Sequence, residues 1–207
     1  MEKLEFPFDD LADEASMNDA VNALTRVHEQ IDALCKKNGK LNKRDFTTLR
    51  ENILGALSLW TGNTYIGERK DIRLRDAFQL FFVSLYYFLH HARTSKNKAL
   101  RQFSHNTLYQ GVVYRYLGSC NPSQPQTEPV SVEYNDIFVS WSKKASNPFV
   151  EGKLYGVLTR LTCEISGHVY GIDLTALGVS KHGEKEVVFQ TDKRFITKTE
   201  HAETFCE

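Results

Sequence analysis

Val112-Val113-Tyr114-Arg115-Tyr116-Leu117 is the stretch at which the chain changes character. Upstream of it, apolar residues recur at helical spacing. Within it they are contiguous, β-branched and aromatic, the composition of a strand. Ile137-Phe138-Val139-Ser140-Trp141, Leu154 to Ile165, His168 to Ile172, Glu186 to Gln190 and Arg194 to Thr197 continue the pattern. Turn-forming breaks separate them: Gly118 to Pro129, Ser166-Gly167, Gly178, Gly183 and Thr191-Asp192. Six short strands after a helical half predict an α+β fold rather than β-α-β alternation. Neither GxGxxG nor GxxxxGK[ST] occurs to indicate a doubly wound nucleotide fold.

Working back towards the N-terminus, Met17, Val21, Leu24, Val27, Ile31 and Leu34 predict a first helix, with Ser16 and Asp19 as a capping box and Gly39 as its close. Phe46, Leu49, Ile53, Leu54, Leu57 and Trp60 predict a second, ending near Gly62. A third, from about Leu74 to His91, is aromatic on most sides and reads as a central core helix. His90 and His91 suit its C-terminal dipole. Arg93 to Arg101 reads as a solvated helix face, and residues 1–15 as a loose acidic arm. The expected organisation is therefore an arm over 1–15, a helical region packed on the core over 16–110, and a β-rich core over 111–207.

Composition narrows the function classes. The 207 residues are 41% hydrophobic and carry 26 basic against 26 acidic side chains, so no global basic field recruits nucleic acid. The N-terminus lacks the pattern of a secretory signal. The longest apolar run, Leu80 to Leu89, is far short of the roughly 20 residues a membrane span needs. Cys35, Cys120, Cys163 and Cys206 are scattered without CxxC or His spacing, which reads as reduced thiols and no metal site. Proline disqualifies Asn121-Pro122-Ser123 as a glycosylation acceptor. The expectation is a cytoplasmic protein with no membrane partner.

Three polar insertions interrupt the strand pattern. Arg115 sits inside an apolar strand, Ser140 and Ser142 flank Trp141, and Glu184 and Glu186 lead into Val187-Val188-Phe189. Each alone is ordinary surface chemistry. Their order and shared strand context point to a site.

Tyr114-Arg115, Phe138-Val139-Ser140-Trp141-Ser142 and Glu184-Lys185-Glu186-Val187 resemble the R-S-E signature of mono-ADP-ribosyltransferases. The most specific part is Gly183-Glu184-Lys185-Glu186-Val187-Val188-Phe189 followed by Arg194-Phe195-Ile196. The resemblance covers about residues 111–198, with gaps of 25 residues from Arg115 to Ser140 and 46 from Ser140 to Glu186. It implies a split β-sandwich around an NAD cleft behind a helical region. It further implies that Arg115 clamps the pyrophosphate, that Ser140 orients Glu186, and that Ser142 supports the strand. Glu186 would bond the ribose hydroxyl and stabilise the oxocarbenium-like species, and Glu184 would orient or deprotonate the acceptor. Phe149 would stack on nicotinamide, and a loop from Leu177 to Gly183, containing His182, would meet the acceptor. Glutamate at position 184 accompanies transfer to arginine in the family.

The expected activity is thus cleavage of NAD and transfer of ADP-ribose to a protein arginine. A nucleic-acid or small-molecule acceptor and an inactive binding module are the alternatives. Two positions depart from the family pattern: Tyr116 stands where glycine is frequent, and Trp141 separates the two serines. Strand alternation sends Trp141 to the face opposite Ser140 and Ser142.

Overall fold

The computed structural model describes residues 1–7, 11, 13–36, 42–62, 71–117, 128, 137–146, 156–180, 185–190 and 193–204. The chain divides into two compact units, Met1–Leu108 with Ala176–Lys181, and Tyr109–Thr175 with His182–Glu207. The fold is mixed α+β.

Among the described residues the first unit contains four α-helices: α1 (Glu14–Lys36), α2 (Lys43–Thr61), α3 (Ile72–Ala92) and α4 (Lys98–Thr107). Side chains preceding each helix satisfy its free N–H groups. For α1 the cap is Asp13, whose carboxylate accepts from the Ser16 amide at 2.8 Å and hydroxyl at 3.1 Å. Ser16 is therefore a donor inside the first turn and not the cap expected of it, because an aspartate three residues earlier offers the stronger acceptor. The Ser16 amide holds the Asp13 carboxyl below the usual carboxylate range. Asn42 caps α2 through the Asp45 amide at 2.8 Å. Asp71 caps α3 and pairs with Arg73, and that pairing lowers its pKa to about 2. Asn97 caps α4. The basic stretch read as one helix face is a link from Arg93 to Asn97 followed by the first turn of α4.

Leu24, Val27 and Ile31 of α1, Leu49, Ile53 and Leu57 of α2, and Phe78, Phe81, Phe82 and Leu85 of α3 are fully buried. Trp60 meets Phe78 and Phe82 edge-on at 5.1 and 5.0 Å. Among the described residues Ile72, Leu80, Val83 and Tyr87 are exposed along the other face of α3. Residues 1–7, expected as the start of a loose arm, are tied to α1 and α2. Leu4 is buried and donates its amide to Asn52 Oδ1 at 2.9 Å. The Asn52 amide group returns to Glu2 O at 2.9 Å and to Gln30 Oε1 at 2.8 Å.

The second unit is a curled antiparallel sheet of seven described strands, a half-barrel. The strands are β1 (Leu108–Tyr109), β2 (Gly111–Leu117), β3 (Phe138–Ser142), β4 (Gly156–Ile165), β5 (Gly171–Asp173), β6 (Glu186–Gln190) and β7 (Ile196–Thr204), in the order β1-β5-β6-β3-β2-β4-β7. Only Gln110 separates β1 from β2, yet β1 lies beside β5 and β2 between β3 and β4. That connection requires the sheet to curl. Gly111 makes the bend at φ +138°, where a Cβ would also sit 2.7 Å from the Tyr109 hydroxyl.

Register fixes the two faces. The β2–β4 pairs include Val113↔Cys163, Tyr114↔Thr162 and Arg115↔Leu161; β2 meets β3 at Tyr114↔Ser142. The β3–β6 pairs include Ser140↔Val188, Trp141↔Val187 and Ser142↔Glu186. Val113, Trp141, Leu161, Cys163, Ile165, Val187 and Phe189 form the core inside the curl, with Tyr109, Leu117, Val139, Val169, Phe195 and Ile196 against it. At the edge, β7 runs well beyond the expected Arg194 to Thr197 and pairs with β4 as far as Gly156↔Thr204.

Candidate active site on the curled sheet

Because paired residues in antiparallel strands share a face, the row Tyr114–Ser142–Glu186 crosses β2, β3 and β6 on the side opposite the core of the curl. Ser142 and Glu186 are directly opposed, which places their Cβ atoms about 4.5–5.5 Å apart. Ser140 points to the same side, diagonal to Glu186. Three of the residues singled out in the sequence therefore meet. Glu186 is only 5% exposed, an uncommon setting for a carboxylate. Ser142 Oγ accepts the Lys144 amide at 3.0 Å, closing the turn that ends β3.

Arg115 arrives from the other direction. Its pair Leu161 lies in the core of the curl, so the arginine stem leaves the sheet on the Trp141 side. The guanidinium Nη1 reaches the Ser140 carbonyl at 2.7 Å. It thus touches the serine strand through the main chain and does not share the face of Ser140, Ser142 and Glu186. Trp141 lies where alternation put it, 2% exposed and edge-on to Phe189 at 6.4 Å between ring centroids. Tyr116, the departure beside Arg115, donates its hydroxyl to the Ala145 carbonyl and so holds the segment after β3. Glu184, Phe149 and His182 lie outside the described residues.

Two neighbours of the site escaped the sequence reading. Asp173 ends β5 opposite Val187 and is 7% exposed. Lys143, just after β3, contacts it at 2.8 Å. An aspartate following the apolar pair Gly171-Ile172 was the available signal, but nothing in the spacing joins it to Lys143.

Among the described residues no group of three or more His, Cys, Asp or Glu side chains is placed to hold a metal ion. No described helix is long and apolar enough to cross a membrane. Comparison with protein-family models, with curated proteins and with solved structures returned no match.

Proposed function

We propose that the chain is a mono-ADP-ribosyltransferase that cleaves NAD at the nicotinamide–ribose bond and passes ADP-ribose to an acceptor, a protein arginine above all. One observation carries the reading. The serine pair and the second glutamate of an R-S-E-like sequence stand on one face of adjacent strands, with Ser142 directly opposite a buried Glu186. A carboxylate in such a low-dielectric position stabilises a neighbouring developing cation far better than one in water.

In this mechanism Glu186 faces the ribose carbon as its bond to nicotinamide breaks and the bonding pair leaves with the ring. Ser140 orients the carboxylate. The acceptor nitrogen then supplies the pair for the new bond and loses a proton to Glu184. Arg115 acts here as a positioning residue, because its guanidinium holds the carbonyl of Ser140 and hence the strand carrying both serines. The choice of arginine as acceptor rests on Glu184 alone.

The test is nicotinamide release from NAD by the wild-type chain and by Glu186→Gln. The variant should lose the activity while keeping its melting temperature. Equal release by both proteins would overturn the assignment of Glu186. Absence of release by wild type, even with lysate acceptors added, would overturn the activity.

A further inference from the structure

On the face opposite Ser142 and Glu186, side chains from three strands or their ends converge. Lys143 Nζ lies 2.8 Å from Asp173 Oδ2, and the two side chains are only 21% and 10% exposed. The same ammonium stands 5.4 Å from the centre of the Tyr109 ring. Tyr109 in turn donates its hydroxyl to Val112 O at 3.2 Å, spanning the bend at Gly111. Burial first, then the nearby Asp173 carboxylate, push the Tyr109 phenol up. It therefore presents a neutral ring to the lysine.

The strand order places this ion pair with some purpose. Strand β6 lies between β3 and β5, so a bond from Lys143 to Asp173 passes over the start of β6. The main chain is fastened at the same place. The Lys143 amide donates to Lys185 O at 3.0 Å, and the Leu174 amide, next to Asp173, donates to Glu186 O at 3.0 Å. Between them, Lys185 is held at φ +50°, a left-handed conformation that a residue with a Cβ adopts at a cost. Such a residue persists only where its surroundings over-determine it. An ion pair this far from water contributes little net stability, since desolvation offsets much of its Coulomb attraction. Its effect lies in fixing geometry.

We infer that the Lys143–Asp173 pair, seated on Tyr109, is a positioning brace that holds the backbone at Lys185 and sets the Glu186 carboxylate against Ser142. Its catalytic consequence rests on the proposed ADP-ribosyl transfer; its structural consequence does not. Lys143→Met keeps the stem against Tyr109 and removes only the charge.

Two readouts test the brace. In hydrogen exchange, Lys143→Met and Asp173→Asn should each accelerate the amides of residue 143 and Leu174, with the protein still folded. In nicotinamide release, each should lower kcat by about tenfold to a hundredfold with little change in the KM for NAD, as misplacement of a catalytic group does. The double variant should be no slower than the slower single one, because the two residues act as a unit. Lys143→Arg should restore most of the rate. Wild-type exchange at both amides in Lys143→Met, or a wild-type kcat despite faster exchange, overturns the inference. If the wild-type chain releases no nicotinamide, the proposed activity falls while the exchange data alone decide the brace.

Discussion

Among the described residues of the helical unit the buried polar side chains are neutral, and they bond largely to main chain. Ser84 donates to Phe81 O, Ser104 to Leu89 O at 2.6 Å, Thr107 to Phe103 O at 2.6 Å, and Asn52 to Glu2 O. Among the described residues of the sheet unit the buried polar ones are Thr159, Asp173 and Glu186, two of them carboxylates at the ends of neighbouring strands. A buried hydroxyl bonded to the carbonyl three or four residues back is part of a helix's construction. A buried carboxylate is costly to desolvate and gathers where a protein needs charge held in place. The contrast teaches that the helical unit is organised around packing and the sheet unit around a polar locus.

Substitutions can break that contrast, beginning with the largest effect. Glu186→Gln should lower nicotinamide release by at least about a hundredfold, the scale on which removal of one electrostatic stabiliser acts, while thermal unfolding barely moves. Phe82→Ala should do the reverse. It empties a site ringed by Trp60, Phe78 and Phe81 and should cost about 3–5 kcal/mol in denaturant unfolding, with release unchanged where the protein remains folded. Loss of activity in folded Phe82→Ala would erase the division of labour.

Smaller changes sharpen it. Gly171→Ala in β5 would place a Cβ 2.4 Å from Val187 Cγ1 and 3.2 Å from Ile165 Cδ1. Overpacking there should cost about 1–3 kcal/mol and reach β6, so both stability and activity should fall. Asn52→Ala leaves the Leu4 amide without its buried acceptor. It should cost about 1–3 kcal/mol and expose residues 1–7 to proteolysis without changing release. The smallest effect belongs to Asp71→Asn. The Asp71 pKa is lowered to about 2 from an ordinary 3.8, so the ionised cap favours the folded state above about pH 4. That contribution is lost as the pH falls from about 4 towards 2. The variant's small deficit in melting temperature should accordingly be present at pH 7 and fade across that window.

The helices were legible because a helix announces its buried stripe within its own sequence, as Met17 to Leu34 and Phe46 to Trp60 do. Their caps were less so, since Asp13 and Ser16 both fit the pattern and only geometry chooses the donor. Strand β6 was legible from Glu186 to Gln190 because all of it but the last residue is buried. Strand β7 was not, because its Lys198, Thr199, Glu200 and His201 follow no apolar alternation. They are secured by cross-strand partners instead, Arg160 with Glu200 and Thr159 with His201 at 3.0 Å. The candidate site shows the same limit. Alternation within β3 correctly separated Trp141 from Ser140 and Ser142. The face of Arg115 depended on register against β4 and β3, which no single strand encodes. Asp173 and Lys143 meet across 30 residues by curvature alone.

The chain has two tryptophans, and the fold assigns one to each unit: Trp60 in the aromatic cluster of α2 and α3, Trp141 inside the curl. Each unit thus carries its own fluorescent clock. Each helix closes its own hydrogen bonds over a few residues, whereas the ladders of β1 beside β5 and β4 beside β7 form only once separate segments have come together. Topology makes such pairings slow. In refolding, emission from Trp60 in a Trp141→Phe chain should settle first, and emission from Trp141 in a Trp60→Phe chain should lag until the ends of the sheet have found each other.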